Sequence, residues 1–146
     1  MKRIKRKGQT LVFEQVMIFS IGVVILIMSI SLFTMYQNYY TSTSTMDQLT
    51  EVKEYVLSSI IMVCEKDANS TVILTIPKTI GNNFYKLSLS SAGLNVTLES
   101  GPAMGDFSPL YGLNATFEFS GMAISDLGKV VIYKNGNSVV LDRRIS

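Results

Sequence analysis

The chain has 146 residues, a length that has room for one domain besides a long apolar segment. Of these residues 47% are hydrophobic and 16% charged, which is too apolar for a disordered chain. It contains no histidine and one cysteine, which excludes zinc sites built on Cys and His, intrachain disulfides, and Ser-His-Asp or Cys-His catalysis. The formal net charge of +2 is too small for a nucleic-acid footprint.

A basic cluster opens the chain. Five of the thirteen basic residues lie within the first seven positions, and all eleven acidic residues follow them. If residues 1–8 are removed, eight basic side chains remain against eleven acidic ones. By the positive-inside rule, a basic cluster ahead of an apolar segment holds the N-terminus in the cytoplasm. The cluster consists of Lys2, Arg3, Lys5, Arg6 and Lys7.

Residues 16–36 form an uncharged apolar run of 21 residues, which matches the roughly 20 residues needed to cross a bilayer. The run predicts a single membrane span, with everything after about Gln37 on the outer face. A secretory signal peptide that is removed entirely is disfavoured, because its apolar region would be shorter and no small-x-small cleavage site follows. An uncleaved signal anchor that carries an outer-face domain stays open at this point.

Residues 5–14 read KRKGQTLVFE, with a basic leader, a Gly-Gln pair, and a Glu just inside the apolar helix. This segment resembles the prepilin signal of type IV pilins, in its archaeal (class III) form. The resemblance implies that a prepilin peptidase cuts between Gly8 and Gln9 and that the apolar segment is retained in the mature subunit. That cut places Glu14 one residue later than the family's usual spacing, whereas a cut after Gln9 would restore it.

The position of Glu14 at the edge of the apolar run is also informative on physical grounds. A carboxylate at the edge of an apolar span is costly unless it is paired, so Glu14 predicts a partner. By the resemblance, that partner is the freed N-terminal ammonium of a neighbouring subunit, and the pair sets the axial register of assembly as a buried polar group does in a coiled coil. The alternative is a carboxylate in water at the level of the lipid headgroups.

An amphipathic helix is predicted after the span. Apolar residues recur there every three or four positions and so share one helical face. If this helix joins the span, one helix runs from about Thr10 to Glu65, with the Ser/Thr run at residues 41–45 as the expected place for a bend or local melting. Cys64 lies in the pattern, either as a buried hydrophobe or in an intersubunit disulfide. The apolar face consists of Met46, Leu49, Val52, Val56, Ile60 and Val63.

Beyond residue 69 the apolar period changes to two, which predicts strands. The second and third strands form a hairpin, and the last two form another across Asn135-Gly136. Residues 101–113, with two Pro and three Gly, predict an irregular loop that is either a variable surface or a plain connector. The six predicted strands are residues 71–76, 84–89, 94–98, 114–119, 129–133 and 138–141.

These elements predict an α+β fold, in which a long N-terminal helix packs on a small C-terminal antiparallel β-sheet. The order of elements is also that of the pilin architecture. We expect a cleaved leader (residues 1–8), a transmembrane and filament-core helix (9–36), an amphipathic continuation (37–66) and a β-domain (67–146).

Two classes of candidate site remain outside the helix. Asn69, Asn95 and Asn114 each begin an N-glycosylation sequon on the part of the chain predicted to lie outside the cell. Acidic residues of the predicted β-domain lie in different strands or loops, with no catalytic or calcium-binding motif around them, and are interpreted as solvated surface. They are Glu99, Asp106, Glu118 and Asp126.

The function predicted from the resemblance is that of a structural, non-enzymatic subunit of an extracellular type IV pilus-like filament, used for adhesion and without a cofactor. The implied partners are other copies of the chain, membrane lipid before assembly, the prepilin peptidase, an assembly ATPase with its platform protein, and surface glycans. No nucleic-acid partner is expected. The alternative is a single-span, outer-face binding module that is never trimmed or never polymerises, including a minor pilin-like protein.

Overall fold

The computed structural model describes residues 3–66, 68–101, 103–110 and 112–143, with side chains described from residue 10 onward. The chain divides into two compact units: an N-terminal unit that ends at Thr41 and a C-terminal unit that begins at Ser42. A single helix, α1 (Arg3–Glu65), contributes its first part to the N-terminal unit and its last part to the C-terminal unit.

The helix of the N-terminal unit contains the predicted membrane span. Every residue from 10 to 41 is exposed, and the helix is long and apolar enough to cross a membrane. Where no water can hydrogen-bond the backbone, a helix satisfies every peptide group within the segment, so a helical conformation would suit an apolar run of this length in a membrane. This unit is therefore compatible with a single-span membrane anchor near the N-terminus.

Residues 41–45 are helical, so the local melting that the Ser/Thr run allows is not present. Low intrinsic helix propensity is a weak preference that tertiary context overrides. Thr41 donates its hydroxyl to the carbonyl oxygen of Gln37, four residues earlier, at 2.9 Å, which pairs the hydroxyl but does not itself favour the helix, since such bonds slightly destabilise helices.

The last part of α1 packs in the C-terminal unit as the apolar spacing predicts. Leu49, Val56, Ile60 and Val63 are fully buried, and Val52 is nearly so. One position differs, because Met46, at the start of the predicted face, is 39% exposed while its neighbour Thr45 is buried.

Within the described ranges, seven strands form one mixed sheet, in the order β1-β6-β7-β5-β2-β3-β4. The predicted α+β class, with a helix on a sheet, is confirmed. Two short 3₁₀ turns interrupt the strand succession, η1 (Leu113–Ala115) and η2 (Ser125–Leu127). The strands are β1 (Ser70–Thr75), β2 (Tyr85–Ser90), β3 (Gly93–Leu98), β4 (Gly105–Pro109), β5 (Glu118–Ile124), β6 (Lys129–Asn135) and β7 (Ser138–Asp142).

Both predicted hairpins are present. β2 pairs with β3 and β6 pairs with β7, each in antiparallel register. Two elements differ from the sequence-based expectation. β4 forms inside the predicted irregular loop, as an edge strand on β3, and β5 starts four residues later than predicted because residues 113–115 form η1.

The sheet is mixed, whereas the sequence predicts a purely antiparallel one. β5 and β7 pair in parallel, because the β6–β7 hairpin folds back so that β7 occupies the place between β5 and β6. The close approach of these strands requires a glycine at Gly121. Its φ is +121°, and a Cβ at this position would lie 2.0 Å from the carbonyl oxygen of Leu141.

One face of the sheet forms the core with α1. Tyr85 and Leu87 of β2, Val96 of β3, Ile132 of β6 and Leu141 of β7 are buried against the helical face, within a single cluster of buried side chains. Burial of one sheet face against one helix stripe is the usual solution for a domain of two layers.

Candidate functional site

The most distinctive surface of the molecule is the apolar helix surface of the N-terminal unit. Its large hydrophobic side chains are exposed on all sides, from Leu11 (59%) through Phe19 (74%) to Phe33 (64%). A soluble monomer rarely exposes a contiguous apolar patch of more than a few hundred Å². This surface therefore needs an apolar environment, which lipid or other apolar helices can supply.

Three of the hydroxyl groups within this surface are satisfied by the helix itself. Each of the three donates to the carbonyl oxygen four residues earlier, at 2.8–3.0 Å. A hydroxyl bonded in this way brings no unpaired polar group into lipid or into a packed helical core. The pairs are Ser20 with Val16, Ser29 with Ile25, and Thr34 with Ile30.

Glu14 lies exposed on α1 at the N-terminal border of the apolar run, and the part of the chain that the structure describes gives its carboxylate no ion pair. Gly8 and Gln9 belong to the helical backbone of α1, but their side chains lie outside the described ones. The five-residue separation from Gln9 to Glu14 corresponds to about 7.5 Å along a helix. The predicted cleavage bond and the register residue therefore stand within two helical turns of each other.

The three sequon asparagines are all exposed, in three different settings. Asn69 accepts a hydrogen bond from the backbone N–H of Gly136 through its Oδ1, at 3.0 Å. Asn114 donates its Nδ2 weakly to the carbonyl oxygen of Ser91, at 3.5 Å. Asn95 lies within β3, which has paired strands on both sides. Asn69 precedes the start of β1 and so lies outside the paired strands.

An ion pair fastens the edge strand β4 to α1. The carboxylate of Asp106 receives the Lys53 ammonium at 2.7 Å and the Thr50 hydroxyl at 2.8 Å. The hydrogen bond from Lys53 is the largest cause that lowers the pKa of Asp106. Burial opposes it by raising that pKa, and the hydrogen bond from Thr50 lowers the pKa further by a smaller amount. Sequence reasoning missed this pair, because the partners lie 53 residues apart and β4 carries no clear strand pattern.

A buried lysine holds the C-terminal end of α1. Lys134 of β6 is 8% exposed, and its ammonium donates to the carbonyl oxygens of Cys64, at 3.0 Å, and of Lys66. The ammonium also lies 4.9 Å from the ring centroid of Phe117. Cations suit helix C-termini, where the last carbonyls lack intrahelical partners. The sequence signal for this contact is a lysine at a position of β6 whose alternation with Val130 and Ile132 places it on the buried face.

The turn η2 is held by the buried hydroxyl of Ser125. This hydroxyl donates to the carbonyl oxygen of Lys78 at 2.6 Å and accepts from the backbone N–H of Tyr85 at 3.0 Å. The Tyr85 phenol donates to the carbonyl oxygen of Pro77, and burial raises the pKa of that phenol well above its usual range. The segment between β1 and β2 is thus tied to η2 and to the core.

The acidic residues of the C-terminal unit do not converge on a reaction centre. Asp106 is engaged by Lys53, and Asp126 pairs with Arg143 at the surface, while Glu99 and Glu118 are exposed on other strands or loops. Across the ranges that the structure describes, no group of three Asp, Glu or Cys side chains is close enough to hold a metal ion.

Cys64 is buried on the inner side of α1, at 6% exposure. Burial raises the pKa of its thiol, with Lys134 nearby as a smaller opposing influence. A buried thiol with a raised pKa is a poor nucleophile. The geometry therefore favours a packing role for Cys64 over an intersubunit disulfide.

Comparison of the chain with protein-family models, with characterised proteins and with solved structures finds no significant match. What the structure has is one long apolar N-terminal helix followed by a small sheet on which the helix packs, which is the general architecture of type IV pilin-like proteins.

Proposed function

We propose that this chain is a structural subunit of an extracellular filament of the type IV pilus kind, assembled through its apolar N-terminal helix and used for attachment to surfaces. The observation that carries the proposal is the apolar helix surface, exposed on every side between residues 10 and 41. Such a surface suits two environments in turn: lipid before assembly and a bundle of identical helices afterwards.

The hydroxyl pattern supports this dual use. Ser20, Ser29 and Thr34 bond to their own helix, so these three hydroxyls enter lipid or a helical core already paired. Packing of apolar helices excludes water at about 25 cal/mol per Å². Because lipid tails are as apolar as leucine, transfer from the bilayer gains less than that, and assembly by an ATPase follows from the resemblance.

The proposed maturation step is removal of residues 1–8 by a prepilin peptidase, with the cut between Gly8 and Gln9. α1 begins at Arg3, so this bond lies in helical backbone, and cleavage requires local unwinding. Glycine favours that step, because it costs a helix about 1 kcal/mol relative to alanine. Trimming frees an ammonium at the new N-terminus, and Glu14 of a neighbouring subunit is its proposed partner.

The N-terminus of the native protein tests the maturation step. We expect mass spectrometry of protein purified from its own cells to find a mature chain that starts at Gln9 or Thr10. Recovery of a chain that starts at Met1 or Lys2 would instead favour an untrimmed membrane anchor.

Substitution of Glu14 tests assembly. Glu14→Ala is expected to leave membrane insertion unchanged and to abolish filaments in electron micrographs, because the freed ammonium loses its counter-charge. Gln15→Ala, a matched change at the next position, is expected to retain filaments. Normal filament numbers from Glu14→Ala would refute the role given to this carboxylate.

A further inference from the structure

The helix side of the C-terminal unit carries a small apolar groove with an acidic rim. The groove has a volume of about 200 Å³ and is lined by Gln48, Glu51, Val52, Tyr55, Pro77 and Ile80. For scale, a cavity of about 150 Å³ lined by apolar side chains accommodates benzene. The groove is therefore large enough for one branched aliphatic side chain.

The rim of this groove is negatively charged. Asp47, Glu51 and Glu54 follow one another at spacings of four and three, so they lie on one stripe of α1, and all three are exposed. Two lysines lie beside the groove: Lys53 is engaged by Asp106, and Lys78, between the lining residues Pro77 and Ile80, directs its stem along Gly128. Within the described part of the chain, none of the three rim carboxylates has an ion pair.

A surface of opposite character surrounds η2, and we name it the η2 corner: Leu127 with Lys78, Lys86 and Lys129. Leu127 is 51% exposed, although it is a large aliphatic side chain. Gly128 turns the chain directly after it, with φ at +65°. Lys129 follows the turn and is exposed.

Two further lysines flank the same turn. A Cβ at Gly128 would lie 3.0 Å from Cγ of Lys78, so the stem of Lys78 lies along the turn. Lys86 of β2 stands opposite Ile124, the residue before η2. Arg143 and Asp126 pair with each other at this corner, so the three lysines leave it positively charged.

The η2 corner is held in place rather than mobile. The buried Ser125 hydroxyl bonds to the backbone of both Lys78 and Tyr85, which fixes η2 against two other segments. An aliphatic side chain presented on a fixed turn loses little conformational freedom when it is bound.

We propose that the groove is the docking site for the η2 corner of a second copy of this chain, with Leu127 inserted in the groove and its lysines facing the acidic rim. The two surfaces are opposite in charge, and the groove volume admits one aliphatic side chain. The contact joins two different surfaces, and it continues into an open polymer when the rotation between neighbouring subunits does not close a ring. The inference rests on the proposed function, in which identical subunits are held side by side.

Cysteine cross-linking of the full chain tests the contact. In a Cys64→Ala background, Gln48→Cys combined with Leu127→Cys places one thiol in the groove and one on the corner. Mild oxidation of assembled protein is expected to give a ladder of dimers, trimers and longer species. Each single variant, and the control pair Glu99→Cys with Asn135→Cys on other exposed positions, is expected to give no ladder.

Charge reversal tests whether the acidic rim of the groove pairs with the lysines of the η2 corner. Glu51→Lys, in the same cysteine pair, is expected to reduce the cross-linked fraction at least tenfold, since a lysine then faces the lysines of the corner. Combination with Lys129→Glu is expected to restore most of it, because the pair is present with its signs exchanged. Both positions are exposed, and unchanged thermal unfolding checks that each variant is folded. A double reversal that stays as low as Glu51→Lys alone would overturn the proposed charge pairing.

The two proposals fail separately. Filaments with a trimmed N-terminus but no ladder from the cysteine pair would overturn the docking contact and leave the filament function standing. An untrimmed chain that forms no filaments would overturn the filament function. A ladder from such a chain would still support the contact.

Discussion

Both parts of α1 contain many aliphatic residues, yet they use them differently. Ile25 in the N-terminal unit is 58% exposed, and Ile60 in the C-terminal unit is fully buried. In the first part apolar residues surround the helix, whereas in the second they occupy one stripe and polar residues occupy the rest. The arrangement of apolar residues around a helix decides whether that helix completes its own domain or needs an external apolar environment.

The largest effect is expected from one substitution made in both parts. Ile60→Ala should lower the free energy of unfolding of the C-terminal unit by about 2–5 kcal/mol, because it leaves a cavity under the sheet. Ile25→Ala should change it by less than about 0.5 kcal/mol, because that side chain packs on nothing in the single chain. Urea unfolding of the full chain in detergent micelles, followed by tyrosine circular dichroism, measures both. Equal losses would erase the distinction between the two parts.

Two serine substitutions, one in each unit, extend the comparison from apolar side chains to hydroxyl groups. Ser125→Ala removes a buried hydroxyl that bonds two backbone groups, and should cost about 1–3 kcal/mol because those groups are left unpaired. Ser29→Ala should stay within about 0.5 kcal/mol, because the Ile25 carbonyl keeps its helical hydrogen bond. The midpoint of thermal unfolding provides the measurement, and a substantial drop for Ser29→Ala would show that the first part is packed within the chain after all.

The smallest effect concerns pH. The folded-state pKa of Asp106 is lowered, mainly by the hydrogen bond from Lys53, so its contribution is fully present above the ordinary Asp pKa of about 3.9 and is lost as pH falls through the lowered value. Asp106→Asn should cost about 0.2–1 kcal/mol at pH 7 and should show a smaller loss of stability on acidification.

Measurement of unfolding free energy between pH 2 and 7 checks the Asp106 prediction, with exposed Glu99→Gln as the matched control. The N-terminal unit has no counterpart of this ion pair among its described residues. Identical acid profiles for wild type and Asp106→Asn would contradict the assigned role.

Local patterns predicted much of this molecule correctly. The three- and four-residue spacing of Leu49, Val56 and Ile60 predicted the buried helix face, because helical geometry alone brings such residues together. Both hairpins followed from alternation and turn residues over short stretches of chain. These features depend on neighbours within one or two turns or across one hairpin.

The missed elements depend on distant partners. β4 is a strand because β3 offers it an edge and Lys53 binds Asp106, not because its sequence alternates. The Lys134 ammonium reaches carbonyl groups some seventy residues away in the chain. No local pattern records such a contact, since it forms only when the helix end meets the sheet.

The sequence by itself determined that there is an uncharged run long enough to cross a membrane, a following amphipathic helix, and strands after it, since each depends on local periodicity and length. Only the tertiary structure decided that β7 lies between β5 and β6, that Ser125 fixes η2, and that Leu127 stays exposed among lysines opposite in charge to the stripe on α1. The physical reason is that strand order and surface complementarity arise from contacts between residues far apart in the chain, which are formed when the layers pack.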